Sequence, residues 1–143
     1  MKAYLTYGPV KVSDISDLLA NGSDYVDSGG HSLFIGQVRV DVSDNKRVAA
    51  IEYSVYENLA SAEIEKIKAQ LFSEFPDVKY IEIIHSAGVV KAGEISLAVM
   101  VSAGHRQQAQ QACSAAVELI KERLPVWKKE IFEDGSSRWK SAK

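Results

Sequence analysis

Cysteine is almost missing from this chain: Cys113 is the only one in 143 residues. No internal disulfide and no multi-cysteine metal site can form. The lone thiol lies in the small-residue run "QQACSAAVEL", where it reads as a compact, inert core group. Long apolar stretches are missing too. The N-terminal segment "MKAYLTYGPVKVSD" has no apolar run of signal-peptide length, and no segment is long and apolar enough for a membrane span. The expectation is a reducing, cytoplasmic setting without a membrane partner. An excess of positive charge is likewise absent. Seventeen Lys and Arg stand against 19 Asp and Glu, a formal charge of −2. Non-specific nucleic-acid binding needs a strongly basic face, so any anion site here must be local.

Catalytic signatures are as scarce. No Gly-rich loop joins a strand to a helix in dinucleotide or P-loop form. His31 and His85 have no partners at metal-ligand spacing, and no Ser/His/Asp pattern is legible. Glu63 and Glu65 read as solvated charge on an amphipathic helix. Metal and serine-hydrolase chemistry have no support, and no cofactor is expected.

What is present reads as one domain over residues 1–143, with no repeat or linker. Residues 3–7 form a short strand. Residues 13–22 form a short helix, with Ser13 as N-cap and Gly22 as stop. The β-rich run 29–40 is expected to pair with 48–56 across the polar turn "SDNK". A helix over 57–75 carries Leu59, Ile64, Ile67, Leu71 and Phe75 on one face, and Pro76 ends it. Strands follow at 78–88 and 94–103, around a turn at "KAGE". A second long helix runs from about His105 to Leu124, burying Ala109, Ala112, Cys113, Ala116, Ile120 and Leu124. Pro125 stops it, because proline has no N–H to close the last turn. The tail has room for a short hairpin or an extended arm. This order suits an α+β fold, a mostly antiparallel sheet packed with two main helices, rather than a doubly wound parallel sheet.

Three stretches are candidates for chemistry. "IKERLPVWKKE" (120–130) gathers Lys121, Arg123, Lys128 and Lys129 around Pro125 and Trp127. A cation at a helix C-terminus is favoured by the macrodipole, so Lys121 can be an ordinary helix end. Lys128 lies past the proline, beside an indole expected to anchor the arm to the core. The chain turn lets two amines seven positions apart converge on one spot. Converging amines hold an anion, and each lowers the other's pKa towards that of a nucleophile or base. In "SAGHRQQA" (102–109), His105 and Arg106 open the second helix, where free N–H groups attract anions. The competing reading is an exposed first turn with a capping imidazole. In "FIGQVR" (34–39), Gly36 marks a bulge or close approach, and Arg39 is either a solvated strand end or re-aimed by that bulge.

Taken in order, "FIGQVR", "IEYSVYENLA", "HSAGVVKAGE", "VMVSAGHRQQAQQAC" and "IKERLPVWKKEIFEDGSSRW" resemble the large, catalytic subunit of molybdopterin synthase, the MoaE-type family. The match covers about residues 29 to 139, and its most specific part is the closing block through Trp139. The resemblance implies an α+β fold with a hammerhead-like element, and a homodimer that binds two small ubiquitin-like sulfur-carrier subunits in a heterotetramer. It implies sulfuration of cyclic pyranopterin monophosphate to the dithiolene of molybdopterin, in molybdenum cofactor biosynthesis. The sulfur comes from a thiocarboxylate on the carrier's Gly-Gly tail. The lysines matching Lys121 and Lys128 are the family's catalytic pair. Arg39, His105 and Arg106 join them as substrate-binding positions, Arg39 reaching towards a neighbouring subunit's site. Phe34, Glu130 and Arg138 are secondary positions that shape the site. One departure is Ser86, where the family often has arginine. It raises an alternative, a non-catalytic dimeric adaptor that binds a ubiquitin-like Gly-Gly tail. Any contact that the family makes beyond Trp139 is expected to be absent or supplied by Lys140 or Lys143.

Overall fold

The computed structural model describes residues 4–140, so Ala3 and Lys143 lie outside the described residues. In chain order the elements are β1 (Leu5–Tyr7), α1 (Val12–Ser23), β2 (Gly30–Gln37), β3 (Val42–Ser43), β4 (Lys46–Val55), α2 (Glu57–Glu74), β5 (Val78–Lys91), β6 (Ile95–Ala103), α3 (Arg106–Arg123), β7 (Val126–Phe132) and β8 (Ser137–Trp139). The strands run in the order β2-β6-β5-β4-β7-β8, with β1 beside β5 and β3 beside β4. Every pairing is antiparallel except β1 with β5. The α+β expectation is met. Among the described residues no helix is long and apolar enough to cross a membrane.

The two long helices cover one face of the sheet. α2 buries Ala60, Ile64, Ile67 and Leu71, a stripe at helical spacing. Leu59, expected on that stripe, is 62% exposed, because it sits one residue, about 100° of turn, off the line. α3 buries Ala109, Ala112, Cys113, Ala116, Val117 and Ile120, and these small side chains let it lie close to β2 and β6. Pro125 ends it as expected: Leu124 is already extended, with φ −72° and ψ 126°. α1 covers the other face, over Tyr80, Ala98 and Met100. It begins after Lys11 rather than at Ser13. The Lys11 backbone N–H donates to the Asp14 carboxylate at 2.9 Å, the half of a capping box in which a first-turn acid reaches back to the N-cap.

The strand pairing corrects one expectation. The "SDNK" turn is a hairpin turn, with positive φ at Asp44 (53°) and Asn45 (62°). It joins β3 to β4, however, not β2 to β4. β2 pairs with β6 instead, from Gly30 opposite Ala103 to Gln37 opposite Ile95, with a bulge at Gly36/Gln37. β6 is buried almost end to end and needs a partner on each edge, whereas β4 is flanked by β5 and β7.

One feature of the sheet places the site. β4 pairs with β5 only from Ala50 opposite Lys91 to Tyr53 opposite Gly88. Beyond Gly88, which has φ +80°, β1 takes over the same edge of β5, pairing with His85, Ser86 and Ala87. β4 instead continues along β7, with Ser54 opposite Trp127 and Val55 opposite Val126. The sheet therefore splits at Gly88, with β5 and β1 on one side and β4 and β7 on the other.

Candidate active site

Lys128 lies on β7 directly opposite Tyr53 of β4, at the mouth of this split. Strand alternation puts Val126, Lys128, Glu130 and Phe132 on the inward face of β7. Trp127 points the other way. It is 48% exposed and meets Tyr56 edge-on at 5.1 Å. The expected anchoring of the arm by its indole is therefore not what the structure shows: Val126 and Phe132 hold β7 to the core instead.

The Lys128 amine is held below the ordinary lysine range by burial first, then by the charges of Lys140 and Lys121. Lys121 comes from the exposed last turn of α3. Lys140 is brought in by the strand ladder, its N–H donating to the Lys128 carbonyl at 2.8 Å. The charges of Lys121, on a helix end, and Lys140, beyond β8, thus both act on the strand amine of Lys128. A partly dehydrated amine with a raised neutral fraction can act as nucleophile or base, while its charged neighbours stabilise an anion.

His85 lies on the β5 side of the split, opposite Leu5 of β1. It is 7% exposed, and its Nδ1 lies 2.7 Å from the Ser86 carbonyl oxygen. Its ring meets Tyr53 edge-on at 5.4 Å. Burial, with a further push from the Lys128 charge, lowers its pKa to about 4.

A recess of about 620 Å³ is lined by Arg39, Glu130, Arg138, Trp139 and Lys140 among others. Glu130 is buried and accepts a hydrogen bond from Arg138 at 3.1 Å. Arg138 also donates to Ser43 Oγ at 2.9 Å. Arg39 is largely exposed and pairs with Asp41 at 3.3 Å.

The structure thus places Lys121 and Lys140 where their charges act on Lys128, and Arg39, Glu130 and Arg138 line a recess together with Lys140. It does not bring the remaining candidates there within one chain. His105 is the N-cap of α3 and Arg106 its first residue, about 23 Å along the helix from Lys121 in its last turn. The Asp77 carboxylate caps that end, accepting from the His105 backbone N–H at 2.7 Å and lying 3.2 Å from its Nδ1. Phe34 sits on β2, packed against the main core and four strand positions from β7. Cys113 is buried on α3, and burial pushes its thiol up, away from reactivity. Sequence reasoning overlooked Tyr53 and His85. The signal for His85 was its phase: it falls on the same side of β5 as the buried Ile81 and Ile83.

Comparison with known proteins bears on the family and the fold. A family described as "MoaE protein" matches residues 5–123. Molybdopterin synthase catalytic subunit 1 of Aedes aegypti is 38% identical over 141 residues, covering 97% of this chain and 88% of the relative. The molybdopterin synthase catalytic subunit of Drosophila grimshawi is 39% identical over 137 residues, 95% of this chain. The chain spans only 36% of that relative's length. The crystal structure of molybdopterin synthase from Staphylococcus aureus superposes with a TM-score of 0.84 at 27% identity, covering 99% of this chain and 98% of the other.

Proposed function

The chain belongs to the MoaE protein family, and on that premise we propose that it is the catalytic subunit of a molybdopterin synthase. Its substrate is cyclic pyranopterin monophosphate, and the sulfur donor is the C-terminal thiocarboxylate of a small ubiquitin-like carrier. The observation that carries this reading is the half-buried Lys128 amine, depressed by burial and by the charges of Lys140 and Lys121. Sulfur transfer between two anions needs such a place. With the Cys113 thiol buried, the sulfur has to arrive on a partner. The carrier's carboxyl terminus is neutralised by Lys121, which also handles the proton or a transient acyl attachment. Lys128 faces the pterin substrate and its developing oxyanion. Arg39, Glu130 and Arg138 shape the adjoining recess for the substrate. His105 and Arg106, at the other end of α3, reach a reacting centre only by way of a second copy of the chain, in keeping with a homodimer.

The adaptor alternative rested on Ser86. That side chain is fully buried, and its hydroxyl has no partner. The position lies inside the protein rather than on the lysine-lined surface, so serine there strips no cation from it.

The test is to mix the purified chain with thiocarboxylated carrier and pterin precursor and follow dithiolene product by mass spectrometry. Product from wild type is expected. Lys121→Ala should abolish it while changing stability by no more than about 1 kcal/mol, the scale of a helix-end charge. Wild-type turnover in that variant removes Lys121 from the mechanism.

A further inference from the structure

Asp77 sits in the turn between α2 and β5 and is tied to the start of α3 by four polar contacts. Its carbonyl accepts from the Gly104 N–H at 3.0 Å, and its own N–H donates to Gln108 Oε1 at 3.0 Å. Its Oδ2 accepts from the His105 N–H at 2.7 Å and lies 3.2 Å from the Nδ1 of the same residue. A Cβ on Gly104 would run into this carboxylate, so glycine there is what lets the acid come so close. The backbone bonds fix where Oδ2 stands, and the ring of His105 meets it. A carboxylate can only accept, so Nδ1 carries the hydrogen in this contact and Nε2 is the nitrogen left over. The anchor is shielded and the ring open: the Asp77 side chain is 25% exposed and that of His105 87%.

We infer that Asp77 is a positioning residue: it holds the His105 imidazole with the hydrogen on Nδ1 and makes Nε2 the nitrogen that meets substrate. Without the carboxylate, the hydrogen can move to Nε2 and the ring can turn. The tie and the tautomer stand on the hydrogen bonds. The effect on turnover rests on the function proposed above, in which His105 is a substrate-binding position that a second copy of the chain brings to the reacting centre.

Two measurements on the full chain keep these apart. In ¹⁵N spectra of histidine-labelled protein, at a pH where the ring is neutral, His105 should carry its hydrogen on Nδ1. The signal is assigned by its absence from His105→Gln. A ring protonated on Nε2 overturns the contact, and this reading of wild type needs no variant to fold. Asp77→Asn keeps an oxygen able to cap the helix, but its amide can either accept from Nδ1 or donate to it, so the Nε2–H form should gain population. An unchanged tautomer overturns Asp77 as its cause. In sulfur transfer from thiocarboxylated carrier, Asp77→Asn should lower kcat/KM for the pterin precursor about tenfold to a hundredfold, the scale of a misplaced contact group. Introduced into His105→Gln, the same substitution should cost nothing further, because the ring it aims is gone. Equal losses in the two backgrounds, the mark of an acid that only caps α3, overturn the role, as does wild-type turnover of Asp77→Asn. Absence of product from wild type would overturn the proposed function and leave the spectra to decide the contact.

Discussion

Acidification should destabilise this protein through a single buried side chain. His85 is neutral when folded, with its pKa at about 4 against the ordinary 6.5, chiefly because burial denies the imidazolium its water. Above pH 6.5 the ring is neutral in both folded and unfolded chains and the shift has no effect. As pH falls through that value, the unfolded chain takes up a proton that the folded chain refuses. The unfolded state then binds more protons, so stability falls with pH until the folded ring also titrates. At about 1.4 kcal/mol for each pH unit, the loss amounts to about 3 kcal/mol by the time pH reaches the folded value. For a domain of this size that is roughly 10 °C in Tm. The assay is urea or thermal unfolding from about pH 7 to about pH 4, on wild type and His85→Gln. Glutamine does not titrate, so groups common to both proteins, such as the depressed Asp77, cancel in the difference. The stability of wild type relative to the variant should fall by about 3 kcal/mol across the range. Parallel curves would refute the assignment of a buried, neutral ring.

Two further predictions come from the neighbouring recess and cations. Arg138→Ala strands the buried Glu130 carboxylate. Because Arg138 is itself 46% exposed, the expected loss is about 2 kcal/mol rather than the 3–5 of a fully buried pair. Adding Glu130→Gln should recover part of it, and a double variant whose losses simply add would show that the pair is not coupled. Lys140→Ala removes one of the charges depressing Lys128, so the acidic limb of the turnover profile should move to higher pH. An unchanged limb would mean that Lys128 does not set it.

The parts of the fold legible in the sequence were those governed by local rules. The helical period and Pro125 located α3 and its buried face, whereas the pairing of Lys121 with Lys128 was implied by the family resemblance, the proline turn only allowing the two amines to converge. Strand pairing was not local. "SDNK" announced a hairpin, yet the identity of β2's partner depended on β6 needing two neighbours, a property of the assembled sheet. Trp127 misled because the size of an indole suggested burial, whereas strand alternation turned it outward and Lys128 inward. His85 was passed over as a histidine without ligand partners. Its setting arises where β4 leaves β5 at Gly88, and no spacing rule in the sequence marks that split. His105 and Arg106 show the converse: they are adjacent to the catalytic pair in the family pattern, but a full helix length separates them within one chain.

The central claim is that Lys128 works as an amine able to shed its proton, and Lys128→Arg tests it most directly. Arginine keeps the positive charge and cannot deprotonate at working pH. With thiocarboxylated carrier and pterin precursor, single-turnover formation of dithiolene should be lost in this variant while carrier binding persists. Turnover at the wild-type rate would show that charge alone suffices at this position and would contradict the account.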